Sequence, residues 1–329
     1  MSQLDFTFAC GLYDRMAPLY TGEVRAPGLD INFLAIDNPR EIFDRMAGGL
    51  EFDACEMSSS ETFQRHAAGG SPLVALPVFP SRVFRHGHIT INRKSGIRSP
   101  KDLAGKRIGV PLYTQTAAIF IRGMLQHEYD VDLAKVQWVQ GALDRPGAHG
   151  NPTVLPLLKP IDIVEAPKDK ALSDLLEEGK IDAITATAVP KAFGRNPDVQ
   201  RLFPNYREVE LDYYRRTKIF PIMHLVALKR ATVERHPFCA TSFYNALCAS
   251  KDRALAKMKW VGALRYMLPW LPAELDEIEE VFKGDPWPYG VEANRPTLEA
   301  LVTYLFEQNL IAKKLPIEDF FVPTHGLQH

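Results

Sequence analysis

Residues 77–93, PVFPSRVFRHGHITINR, place two arginines and two histidines inside a run that otherwise alternates like a β-strand. Charge stands there where core is expected, so the run must meet either a ligand or an internal ion pair. Read as extended from Arg82, a period of two sets Arg82, Phe84, His86 and His88 on one face and Val83, Arg85 and Gly87 on the other. On that geometry Arg82 and His86 can reach one ligand.

The chain on either side reads as alternating strands and helices. Before the run come the strands LDFTFAC, LDINFLA and FDACEMS, with a helix opening at Asn38-Pro39 and a second within SSSETFQRHAAGG. After it come RIGV, a long amphipathic helix from the YTQTAA loop, KVQWVQ, IDIVEA, a helix in KDKALSDLLEEGK, and IDAITATA. The stretch 141–160, rich in Gly and Pro, reads as a surface loop. The apolar run 219–228 reads as a return crossing, followed only by helices, over 230–258, 261–267, 274–282 and 297–311.

This predicts an α/β fold of two lobes, with two mainly parallel sheets, helices on both faces and two crossover strands, the type II periplasmic-binding-protein arrangement. A chain of 329 residues, 46% hydrophobic, has the length for two cores. The predicted lobes are 1–90 plus 222–329, and 91–221, with a ligand cleft between them.

A formal charge of -1, from 39 basic and 40 acidic side chains, supplies no field to recruit nucleic acid or an anionic membrane. No run approaches the roughly 20 apolar residues of a membrane span. TFACG has the small-residue-then-Cys form of a lipoprotein cleavage site, but neither a basic n-region nor a sufficient apolar run precedes it. Cys10, Cys55, Cys239 and Cys248 show neither metal-site spacing nor a disulfide framework. The expected compartment is the cytoplasm, and a homo-oligomer is compatible with the sequence without being specified by it.

In open α/β sheets ligands gather beyond the carboxyl ends of strands. That favours the loops 11–15, 56–60, 111–116 and 185–188, and with them Tyr13, Asp14, Glu56, Ser58, Tyr113, Gln115 and Thr116. The serines and threonines there either cap helices or hold an anion at a helix N-terminus. Arg82 and Arg85 suit a carboxylate, with an ion pair to Asp14, Glu56 or Asp212 as the competing reading. His86, His88 and His224 form one histidine group, as proton donors, core residues or a metal site; no convincing carboxylate ligands accompany H-x-H, so no metal is expected. The segment GDPWPYGVEANRPTLEAL, with Tyr289 and Glu292, either closes over a ligand or forms a rigid Pro-rich loop. A P-loop, a G-x-S-x-G elbow and a G-x-G-x-x-G fingerprint are absent.

FPSRVFRH, GKRIGVPLYTQTAA, GKIDAITATAVP, YYRRTKIFPIMH and DPWPYGVEANRPTLEAL resemble the corresponding strings of the 4,5-dihydroxyphthalate decarboxylase family, along nearly the whole chain. Leu12, Lys218 (where the family leads one to expect Gly) and Thr114-Gln115 depart from its pattern. The resemblance implies a binding-protein-like fold put to use as a cytoplasmic enzyme, with no cofactor and a small aromatic carboxylate as partner. It implies His224 or His86 as general acid, Arg82 on the retained carboxylate and Arg85 in support. Glu56, or else Asp14, would meet the catechol hydroxyl; Tyr113 and Thr116 would bind from the second lobe, Phe84 and Tyr289 would flank the ring, and Tyr13, Ser58, Gln115 and Glu292 would complete the site. The rival readings are a solute-binding protein without catalysis and a metal-dependent enzyme built on the three histidines.

Overall fold

The computed structural model describes residues 3–150 and 155–323. Residues 151–154 of the Gly/Pro-rich stretch, and the ends of the chain, lie outside them. Among the described residues the strands are β1 (Leu4–Cys10), β2 (Leu29–Ala35), β3 (Ala54–Ser58), β4 (Leu73–Arg82), β5 (Ile89–Asn92), β6 (Arg107–Val110), β7 (Gln137–Gln140), β8 (Ile163–Glu165), β9 (Ala183–Thr185), β10 (Val199–Arg201) and β11 (Ile222–Lys229). They build one sheet of order β2-β1-β3-β11-β4 and another of order β10-β5-β9-β6-β7-β8.

Both sheets are mixed where the sequence predicts mainly parallel ones. The β/α units pair in parallel, β1 with β2 and β3, and β6 with β7 and β9. The strands flanking the crossings run the other way: β11 is antiparallel to β3 and β4, and β5 is antiparallel to β9 and β10. A strand that enters its sheet from the neighbouring lobe, β5 or β11, does so at the carboxyl ends of the β/α strands and runs against them, while β4, which leaves at that edge, runs with β3. The crossings touch one another, Val83 N–H donating to the Pro221 carbonyl at 3.1 Å.

Residues 77–93 are not one strand. β4 ends at Arg82, a 3-10 turn occupies His86–His88, and β5 begins at Ile89. The β4–β11 register slips between Ile222 and His224 and again between His224 and Val226, alongside Pro77 and Pro80, which have no N–H to donate. Carbonyls of this irregular stretch are satisfied from the C-terminal segment: Gly290 N–H donates to Pro77 at 2.8 Å and the Trp287 indole to Phe79 at 2.8 Å.

In the first lobe, Phe6 and Phe8 pack on Phe243 at ring distances of 5.0 and 4.9 Å. The second lobe closes around Trp138, Ile108 and Ile121. The expected helix over 230–258 is broken into Arg230–Arg235 and Phe238–Lys259, because Pro237 can neither donate nor follow an α-helical residue without a clash. Residues 261–267 form bends and irregular backbone rather than a helix. The helix Tyr206–Thr217 carries almost no apolar stripe, only Tyr213 being buried, so its periodicity gives no signal in the sequence. Among the described residues no helix is long and apolar enough to cross a membrane.

Candidate active site

β3 is buried along its length and runs into the helix Ser59–Ala68, so its last residues, Glu56 to Ser58, emerge at the carboxyl edge of the first sheet. β11 lies beside it, with His224 opposite Ser58 in register. The two meet at the mouth of a cavity of about 380 Å³ between the lobes, within the size range of small-molecule sites.

Glu56 is fully buried and uses both oxygens internally. Oε1 accepts from the Tyr13 hydroxyl at 2.7 Å and lies 2.5 Å from His224 Nδ1. Oε2 accepts from Gly11 N–H at 3.1 Å and from the Cys10 thiol at 3.5 Å. Burial alone would raise its pKa, but the His224 ring, the Tyr13 hydroxyl and the Gly11 amide outweigh it and hold the carboxyl below its ordinary range. The Tyr13 phenol is pushed up by burial and by that same carboxylate. With Nδ1 engaged, His224 keeps Nε2 for the cavity, its ring braced edge-on by Phe43 at 5.0 Å.

Arg85 supplies a guanidinium to the same cavity. It is buried, donates to the Thr187 carbonyl at 3.2 Å, and has an Nε with no protein partner. Burial lowers its pKa to about 10, which leaves it charged at neutral pH. Ser58 and Thr116 hydroxyls face each other at 3.0 Å across the lobes, and Ser60 N–H donates to the Thr116 oxygen at 3.1 Å. These hydroxyls therefore bind one another and a helix start, the capping role weighed above.

The cavity is lined by Tyr13, Ser58, Arg85, Gln115, Thr116 and His224 of the expected set, while Glu56 stands behind it. Arg82 is elsewhere. It pairs with Ile222 while Ser81 pairs with His224, so alternation turns Ser81 to the cavity and Arg82 to the opposite face. There it binds the Asn294 side chain and the Pro288 carbonyl at 2.8 Å, and burial lowers its pKa to about 9. His86 is also displaced, because the 3-10 turn abandons the strand's period. Its ring is enclosed edge-on by Phe203 at 5.3 Å and Tyr213 at 5.2 Å in the second lobe, and burial lowers its pKa to about 4.

The other expected residues outside the cavity each pack elsewhere. Asp14 is bound by Arg15, and with Phe84 it lines a separate cavity of about 280 Å³. Phe84 stacks on Phe220 at 4.4 Å. Tyr113 lies in the second core beneath the Arg122 guanidinium, 3.6 Å from its ring centre. Tyr289 is buried beside Lys251, and Glu292 is an exposed partner of Arg295 at 2.5 Å. Among the described residues no three His, Cys, Asp or Glu side chains are grouped to hold a metal ion.

Among the lining residues that escape the sequence reading are three ionisable ones, Arg40, Glu61 and His149. Arg40 follows the Asn38-Pro39 helix start and reaches Asp44 at 2.9 Å and Glu61 at 3.4 Å. The signal for it was the helix start itself, which aims its first turn at the cleft. His149 lies in the loop read as surface, with Nε2 at 3.3 Å from Gln115 Nε2. Nothing in its local sequence marks it.

A family model described as NMT1/THI5 like matches residues 26–146. The periplasmic aliphatic sulphonate binding protein of Escherichia coli superposes with a TM-score of 0.54 at 12% identity, over 97% of this chain and 98% of that one. The alkanesulfonate-binding protein of Xanthomonas axonopodis pv. citri superposes with a TM-score of 0.51 at 12% identity, over 98% of this chain and 99% of that one. Both likenesses are of fold and bear out the two-lobed expectation. In sequence, the 4,5-dihydroxyphthalate decarboxylase of Comamonas testosteroni is 35% identical over 98% of this chain and 98% of its own length. That of Pseudomonas putida is 38% identical over 65% of this chain and 83% of its own. At 35% identity over 98% of its length, with a binding-protein fold beneath, the chain belongs to the 4,5-dihydroxyphthalate decarboxylase family.

Proposed function

We propose that this protein decarboxylates a hydroxylated aromatic dicarboxylate of the 4,5-dihydroxyphthalate kind, releasing carbon dioxide and leaving protocatechuate. The observation that carries the reading is the His224–Glu56 pair at a cavity that Arg85 also lines. Losing carbon dioxide from an aryl carboxylate strands an electron pair on the ring unless the ring carbon is protonated. His224 Nε2 is positioned to deliver that proton, with Glu56 fixing the ring through Nδ1 and compensating the positive charge of its proton-bearing form.

Arg85 holds the retained carboxylate, and its fork geometry with a spare Nε suits a bidentate anion. Gln115, Thr116 and Ser58 line the cleft walls, the two hydroxyls fixing the walls to each other. An electron-donating hydroxyl para to the leaving group takes the place of an organic electron sink, so the reading calls for no cofactor. It assigns the enzyme to the cytoplasm, in keeping with four free cysteines.

Incubation with 4,5-dihydroxyphthalate should release carbon dioxide and form protocatechuate, and His224→Gln should cut kcat by about 100-fold or more with KM nearly unchanged. Stoichiometric binding of the acid without carbon dioxide release would replace this reading by that of a solute-binding protein.

A further inference from the structure

We propose that His149 accepts the proton of the ring hydroxyl para to the departing carboxylate, the base that complements the acid His224. The inference rests on the decarboxylase reading of the cavity. That chemistry needs a proton acceptor at the hydroxyl, and the carboxylates expected for the task are occupied. Both oxygens of Glu56 are bound within the protein. Glu61, which does line the cavity, is neutralised by Arg40 at 3.4 Å and Arg65 at 3.2 Å.

His149 lines the same cavity as His224, and it comes from the other lobe. Beside it, Gly150 lies against Arg40 of the first lobe, where an added Cβ would sit 3.0 Å from the arginine Cγ. The loop therefore reaches across the cleft and brings the imidazole to the cavity. The neighbouring Gln115 can support the tautomer this requires. Its Oε1 is buried without a partner while its Nε2 lies 3.3 Å from His149 Nε2. Exchanging the amide oxygen and nitrogen, which have nearly the same shape, lets Oε1 accept from His149 Nε2–H and removes the orphaned acceptor. Nδ1, which makes no hydrogen bond to the described residues, then carries the lone pair.

Burial first, then the Arg40 and Arg145 guanidiniums, lower the His149 pKa against a smaller opposing pull from Asp44. The ring is thus neutral at neutral pH, with a lone pair free to accept a proton. The step balances as follows. The hydroxyl O–H bond breaks, its proton passes to His149 Nδ1, and the oxygen pair forms a ketone. The ring electrons so displaced take the proton from His224 Nε2 at the carboxylate-bearing carbon. That carbon's bond to the carboxylate then breaks, its electron pair restores the aromatic ring, and carbon dioxide leaves. The oxygen recovers its proton from His149, and one solvent proton reloads His224.

The test compares the full-length protein with its His149→Ala and His149→Gln variants, using 4,5-dihydroxyphthalate for turnover and phthalate, which lacks hydroxyls, for binding. Both variants should lose about 100-fold or more in kcat, while phthalate Kd stays within about threefold of wild type and attests the fold. A merely positional imidazole would let His149→Gln keep near-wild-type kcat, and that result overturns the proposal. Carbon dioxide release absent from the wild type itself would instead overturn the decarboxylase reading, and this inference with it.

Discussion

His224 Nδ1 lies 2.5 Å from Glu56 Oε1, and the same oxygen accepts the Tyr13 hydroxyl at 2.7 Å. The carboxylate is held from its other side by the Gly11 amide, so four groups from two strands and a loop converge on one buried glutamate. Such a carboxylate is a poor ligand for substrate and a good anchor for a histidine, because each oxygen has already exchanged its water for protein donors.

Glu56→Gln keeps the shape but removes the charge and lets the amide bond to either ring nitrogen's tautomer. The expected outcome is a fall in kcat of about 100-fold with KM little changed, measured as carbon dioxide release from 4,5-dihydroxyphthalate. Equal losses in affinity and turnover would mean that Glu56 touches substrate.

The two neighbouring arginines should separate cleanly. Arg85→Met removes the guanidinium of the cavity and should weaken phthalate binding about 10- to 100-fold by calorimetry, with little change in stability, a charge-assisted hydrogen bond being worth about 1.5–3 kcal/mol. Arg82→Met leaves the Asn294 side-chain oxygen without its donor, the Pro288 carbonyl keeping the Asn294 amide at 3.0 Å, and should cost about 1–3 kcal/mol in urea unfolding, while phthalate Kd stays within about threefold.

Lys218 caps the helix Tyr206–Thr217 in the left-handed region, with φ 58°, donating to the Tyr214 carbonyl at 2.9 Å. The family leads one to expect Gly here, and the backbone explains it, since a Cβ in this conformation costs about 1 kcal/mol. Lys218→Gly should raise stability by about that amount in thermal unfolding and leave kcat alone. A destabilised variant would show that the lysine stem, lying over Tyr214 at 5.4 Å, matters more than the backbone.

His86 is buried with neither ring nitrogen hydrogen-bonded, and its pKa is lowered to about 4 from an ordinary 6.5. A folded pKa below the unfolded one means that the unfolded chain binds more protons across that window, so stability is full above about 6.5 and falls as pH drops toward 4. His86→Leu removes this proton uptake and should shift the acid-unfolding midpoint, followed by circular dichroism, to lower pH. An unchanged midpoint would mean that acid unfolding begins elsewhere.

Most of the architecture is legible from local rules. Strands β1, β2 and β6 and the helices starting at Pro39 and Ser59 follow from alternation, capping residues and terminal glycines, all short-range effects that a linear sequence records. The same rules flag Tyr13, Ser58, Gln115 and Thr116 as residues just beyond strands, and His224 as an imidazole in the return crossing.

Which side chains face the cleft was decided only by the folded chain. A single extra residue at Met223 and the slip beside Pro80 set Ser81 and Arg82 on opposite faces, and a 3-10 turn at 86–88 carried His86 into the second core. Because side-chain direction in a strand reverses at every residue, one bulge inverts the assignment of each arginine and histidine that follows it, and bulges are settled by what packs across the sheet. His149 depends on the same logic at longer range: its loop carries no local signal, and only the approach of the two lobes gives the imidazole a cavity to face.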